Sequence, residues 1–173
     1  VPNLTYRMRN GRIKINQMEQ PCDTLDEYDF TRLDLVEPCN LLIDRSMGGA
    51  SKKWWLIPIC RGCMHNCAGC GASAYSYRKM FNRESPAFRS PEKIVGDIQK
   101  LREQGVNLIS LFQDPRMGGK RYVEDLIATL RTEKIDLDGI DMELFSPASE
   151  EYLKSLSSID IPLALTISPE SGV

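Results

Sequence analysis

Four of the six cysteines in this 173-residue chain crowd into one stretch, Cys60-Arg-Gly-Cys-Met-His-Asn-Cys-Ala-Gly-Cys70. Sulfurs two or three residues apart reach a common point only if the loop coils around it. Thiolates held that close repel one another unless a cation, a metal cluster or disulfide formation takes up the charge. Six cysteines in a chain of this length is too sparse for a disulfide scaffold, and their crowding points to metal-bound thiols in a reducing, cytoplasmic setting. Cys22 and Cys39 lie alone and read as buried or idle thiols. His65, the single histidine, reads as a solvent-facing loop residue, and Met64 beside it as packing.

Regular elements must hold that loop in place. The apolar run Trp54–Ile59 directly precedes it and reads as a buried strand. Ser90-Pro91 opens a helix whose Ile94, Ile98 and Leu101 recur at helical spacing, and Gly105 closes it. A strand over 106–112 follows, then a helix over 120–134 with Val123, Leu126, Ile127 and Leu130 as its inward stripe. Next come a strand over 139–145, a short helix over 149–157 with Leu153 and Leu156 inward, and a strand over 162–167. This alternation calls for parallel strands with right-handed crossovers. The expected fold class is α/β: a partial (βα) barrel of the TIM type with about four parallel strands.

Residues 1–53 read as a separate N-terminal segment, with 54–173 as the partial barrel. The first holds a hairpin over 4–16 around Asn10-Gly11. An acidic stretch over 21–35 then reads as a linker that packs on something, and 46–51 as a flexible joint. Both ends of the chain read as cut from a longer protein.

Parallel α/β folds gather their chemistry at the carboxyl ends of the strands. Four stretches end there: the cysteine loop, Gln113-Asp114-Pro-Arg116-Met-Gly-Gly119, Glu143 with Ser146, and Ser168-Pro-Glu170-Ser171. That convergence nominates a site before any family is considered.

The spacing Cys63-x-x-x-Cys67-x-x-Cys70 after the first strand, with Arg61-Gly62 leading in, resembles the signature of the radical S-adenosylmethionine (SAM) superfamily. The likeness spans roughly residues 54–173. It implies that Cys63, Cys67 and Cys70 hold three irons of a 4Fe–4S cluster, whose fourth iron binds SAM. Reductive cleavage of SAM would then give a 5′-deoxyadenosyl radical that abstracts hydrogen from an unidentified substrate, with a donor such as flavodoxin or ferredoxin supplying the electron. Ser168 and Glu170 match the segment that contacts ribose in that family. Asp114 stands where the family carries the acceptor for the methionine ammonium, and Glu143 is a further candidate for the same cofactor. Gly69 replaces the aromatic residue usual before the last cysteine, leaving Tyr75 and Tyr77 as aromatic candidates. Cys60, just outside the motif, reads either as a ligand to the fourth iron when SAM is absent or, the favoured reading, as a bystander. Residues 1–53 are similar to the linker behind a cobalamin-binding domain in one branch of the superfamily.

Three other readings compete. A closed zinc site of four cysteines would use the whole cluster of thiols, but its two pairs are spaced tightly for that geometry. A closed ferredoxin-type carrier has different internal spacing and a trailing proline, where Gly71 stands here. A divalent ion on Asp114, Glu143 and Glu170 leaves the cysteines without a role. A net charge of −2, from 22 basic and 24 acidic residues, argues against nucleic acid, and no apolar run nears the roughly 18 residues of a membrane span. A barrel cut after its fourth strand is not expected to turn over substrate alone. It also exposes an unpaired strand edge, so dimers are expected; light scattering that finds only monomer at high concentration contradicts this.

Overall fold

The computed structural model describes residues 3–17, 19, 22–36, 44–47 and 50–168. They divide into two compact units that interleave along the chain: residues 1–23 with 62–87, and residues 24–61 with 88–173. The sequence reading drew its line at residue 53 instead.

In the smaller unit, β1 (Thr5–Arg7) and β2 (Ile13–Ile15) pair antiparallel, with Thr5 opposite Ile15. Gly11 closes the connection at φ +83°, where a residue with a Cβ is strained. This unit also holds a helix not foreseen from the sequence, α1 (Ala74–Phe81). Its signal was Ser73, which caps it by accepting the Ser76 N–H at 3.3 Å.

The larger unit is built on a five-stranded sheet. Strand β3 (Asp44–Met47) runs antiparallel to β4 (Ala50–Pro58). Where the sequence was read as a flexible joint, Ser46 and Met47 belong to β3 and Ala50 and Ser51 to β4. Two-residue strands follow at β5 (Cys60–Arg61) and β6 (Ala87–Phe88). Then α2 (Pro91–Glu103), β7 (Leu108–Phe112), α3 (Gly119–Thr132), β8 (Gly139–Leu144), α4 (Glu150–Leu156) and β9 (Leu163–Ile167) alternate. The sheet order is β3-β4-β7-β8-β9. Strands β4, β7, β8 and β9 are parallel and adjacent in chain order, as expected from the alternation. Among the described residues no helix is long and apolar enough to cross a membrane.

Register decides which side chains meet the helices. Ile57, Leu111 and Met142 lie opposite one another across three strands, and all three are fully buried. They share a core with Ile94, Ile98 and Leu101 of α2, Leu126, Ile127 and Leu130 of α3, and Leu156 of α4. One residue along each strand, the row Leu56, Ser110, Asp141, Ala164 takes the opposite face. In α4, Leu153 departs from expectation: it is 42% exposed. Tyr152, four residues before Leu156, packs against the core instead, so the inner stripe runs through Tyr152 and Leu156.

The acidic stretch does pack. Leu25 and Leu33 are buried, and Trp55 Nε1–H donates to the Phe30 carbonyl at 2.9 Å. Arg89, 1% exposed, donates to the Leu25 carbonyl and pairs with Asp97 at 2.7 and 2.8 Å, its guanidinium 4.9 Å from the Phe30 ring centre. Burial raises the Asp97 carboxyl above its ordinary value despite the hydrogen bonds and charge of Arg89. Such a pair fixes geometry more than it adds stability, and removing one partner strands a buried charge. Asp97→Ala is expected to cost about 3–5 kcal/mol in urea unfolding, and Arg89→Met with Asp97→Leu to recover much of that. A loss under about 1 kcal/mol for Asp97→Ala refutes this account.

Candidate functional site

The cysteine loop belongs to the smaller unit and is stitched to the start of α1. The first N–H groups of a helix have no partner within it. Here Ala74 N–H donates to the His65 carbonyl at 2.8 Å and Tyr75 N–H to Asn66 Oδ1 at 2.8 Å, while Ser73 takes the third. His65 and Asn66 thus have structural roles in the loop. Cys70 N–H donates to the Cys67 carbonyl at 3.1 Å, closing a β-turn that brings these two cysteines to the ends of one reversal. Gly62 enters the loop at φ +113°, and an added Cβ would lie 2.9 Å from Pro86 Cα. That position accepts only glycine, which gives the Arg61-Gly62 lead-in a steric cause.

Cys22, Cys60, Cys63, Cys67 and Cys70 are thiols, not disulfides. Cys63 Sγ accepts the His65 N–H and Cys70 Sγ the Ala72 N–H, each at 3.4 Å. Backbone N–H groups aimed at sulfur stabilise the charge a thiolate carries when it binds metal. In kind, the donor set fits a thiolate-bound metal or cluster. Among the described residues no three His, Cys, Asp or Glu side chains stand grouped as around a metal ion. Cys60 belongs to the larger unit and is 3% exposed. Of the aromatic candidates, Tyr75 is 59% exposed, and Tyr77 packs on Phe81 within α1.

The other nominated residues belong to the larger unit. Asp114, 4% exposed, caps the short 3-10 turn Pro115–Gly118. Its Oδ1 accepts Arg116 N–H at 2.9 Å and Arg116 Nε–H at 3.0 Å; its Oδ2 accepts Arg116 Nη2–H at 2.7 Å and Phe145 N–H at 2.8 Å. A carboxylate offers about four acceptor sites, and all are filled by the chain itself. Arg116 also donates to the Ser146 and Pro147 carbonyls at 2.7 and 3.0 Å. The pair therefore binds the end of β7 to the end of β8. Ser146, nominated as a site residue, acts here as an acceptor for Arg116.

Glu143 and Ser168 are brought together. Ser168 Oγ–H donates to Glu143 Oε1 at 3.2 Å, and Gln113 N–H to Glu143 Oε2 at 3.2 Å. One carboxylate thus joins the ends of β7, β8 and β9 and keeps acceptor capacity on both oxygens. Gln113 adopts φ +87°, a conformation that costs a residue with a side chain about 1–3 kcal/mol. Strain of that kind gathers at functional sites. Glu170 lies outside the described residues, as does Cys39.

Sequence reasoning passed over Asp141 and Tyr152, and gave Gln113 and Arg116 no role of their own within the stretch after the second strand. Alternation in Gly-Ile-Asp-Met-Glu-Leu was a usable signal, since it puts Asp141 and Glu143 on one face. Burial, with the nearby charge of Asp114, pushes the Tyr152 hydroxyl up to about 12.

Comparison with known proteins gives no match: no family model, no curated protein and no solved structure matches the chain.

Burial alone would raise the Asp114 carboxyl, but the hydrogen bonds from Arg116 and Phe145 N–H outweigh it and hold it below its ordinary value of 3.8. A depressed carboxylate contributes stability above its unfolded value and loses it as pH falls through the folded value. Asp114→Asn is therefore expected to cost about 1.5–3 kcal/mol at neutral pH. The loss should shrink as pH falls below 3.8, as followed by urea unfolding across that range. A loss that does not change with pH contradicts the assignment.

Proposed function

We propose that this chain is the cluster-bearing part of a radical SAM enzyme, with Cys63, Cys67 and Cys70 as ligands to a 4Fe–4S cluster and SAM as the second bound group. One observation carries the reading: the Cys63-x-x-x-Cys67-x-x-Cys70 spacing on a loop that follows the first parallel strand. The strand order supports it. Neighbours in chain order, with apolar residues against helices on one face of the sheet, fit part of a (βα) barrel. A doubly wound sheet reverses its strand order and covers both faces.

In this reading the three thiolates hold the cluster, and the N–H groups of His65 and Ala72 temper the charge on two of the sulfurs. Glu143 and Ser168, with Glu170, are the proposed contacts to SAM. Glu143 rather than Asp114 is the acceptor for an ammonium group, because the Asp114 oxygens are already occupied. Asp114 and Arg116 are positioning residues that keep the strand ends fixed. The bound groups would supply one-electron cleavage of SAM and hydrogen abstraction from a substrate, drawing the electron from a donor such as flavodoxin or ferredoxin.

Anaerobic reconstitution with iron and sulfide tests this directly. About four irons per chain are expected, with an electron paramagnetic resonance signal that changes when SAM is added. Alanine at Cys63, Cys67 or Cys70 should abolish iron uptake, whereas Cys60→Ala should retain it. Stoichiometric zinc without iron uptake would replace this reading with a structural zinc loop.

A further inference from the structure

The face of the sheet turned away from the helices carries a feature that the strand-end residues do not explain. A cavity of about 260 Å³ opens there, lined by Trp54, Leu108, Gly139, Asp141, Pro162 and Thr166 among others. It is lined by the first residues of β7 and β8 and reaches Thr166 near the end of β9. Register explains its composition: Trp54, Leu108 and Gly139 lie opposite one another in adjacent strands, and Asp141 lies two residues along β8 from Gly139, on the same face.

Asp141 is held from both sides. Ser110 Oγ–H donates to Oδ2 at 3.2 Å from β7, and Thr166 Oγ1–H to Oδ1 at 2.9 Å from β9. These two bonds fix the plane of the carboxylate and leave each oxygen able to accept another donor. Among the described residues no cation pairs with Asp141. The other carboxylate of the lining, Asp138, is paired with Lys52 at 3.2 Å. The cavity therefore combines one oriented, uncompensated carboxylate with an indole wall.

That combination selects a ligand class. An anion is repelled by Asp141. A wholly apolar ligand would strip water from a carboxylate and return nothing. A divalent ion would find a single carboxylate whose flanking hydroxyls already spend their protons on it. An organic ammonium satisfies both parts, with N–H donors for the free acceptor sites and a cation for the aromatic face. The volume lies just under the roughly 300 Å³ at which drug-sized pockets begin, so the group bound is a small amine or the ammonium end of a longer ligand.

We propose that this cavity binds an organic ammonium group, with Asp141 as its counter-ion, Ser110 and Thr166 as the residues that orient Asp141, and Trp54 as the aromatic wall. It uses none of the cysteines and stands whether or not the loop holds a cluster.

Titration of the whole chain with n-propylammonium, followed by amide and indole nuclear magnetic resonance shifts, tests it. 1-Propanol and propionate serve as neutral and anionic controls of the same length. Saturable shifts confined to Trp54, Asp141, Thr166 and their neighbours are expected with the ammonium alone. Asp141→Asn, nearly isosteric, should weaken binding about tenfold, the worth of one charge-assisted hydrogen bond. Thr166→Val, which leaves the carboxylate in place, should weaken it less. Equal response to 1-propanol, unchanged binding in Asp141→Asn, or no saturable shift at millimolar probe would each overturn the proposal. If Asp141→Asn fails to fold, the comparison of the three probes on the unaltered chain still decides it.

Discussion

Side chains alternate across a strand, and in this molecule that one constraint distributes nearly everything else. In β8, Ile140, Met142 and Leu144 are buried, while Asp141 and Glu143 face the other way. Strands β7 and β4 obey the same parity, with Ile109, Leu111 and Ile57 in the helix-facing core. A slip of one residue in β8 would drive two carboxylates into an apolar layer, at a cost far above any hydrogen bond gained. Register is therefore pinned by the core, and the polar groups are left to accumulate on one face and at the strand ends.

What they do there depends on local satisfaction. Two carboxylates at neighbouring strand ends take different roles. Asp114 is filled by Arg116 and the Phe145 N–H and serves as a rivet between two strand ends. Glu143 accepts one donor per oxygen and remains able to bind a third party. The strained Gln113 backbone belongs with this, since its N–H is one of the donors that hold Glu143. A rigid support around a half-satisfied carboxylate is what a binding site requires.

The cysteine loop beyond β5 follows a different logic. It is ordered by the unmet N–H groups at the start of α1, which take the His65 carbonyl and the Asn66 side chain as partners. A helix that buries none of its residues completely thereby helps shape the proposed metal-binding segment. Gly62 is needed for the same reason at the other end, where Pro86 approaches too closely for any side chain.

Much of this was legible in the residues themselves. Apolar runs and helical spacing located β7, β8, β9 and helices α2 to α4, and the cap Ser90 marked one helix start. The thiol spacing, a property of chain order alone, carried the functional reading. Partner identity was not legible. Arg116, two residues on, supplies most of the donors to Asp114, but nothing local says that Phe145 N–H completes the set or that Tyr152 rather than Leu153 turns inward, because those outcomes depend on donors and apolar surface contributed from distant parts of the chain. The pairing of Asp141 with Ser110 and Thr166 is of the same kind: three strands must align before two hydroxyls and a carboxylate can meet. The sequence by itself determined which chemistry the loop could carry and which faces were apolar. Tertiary structure decided which polar groups are already satisfied and which remain open to a ligand, since hydrogen bonding between residues about 30 apart is settled only by register.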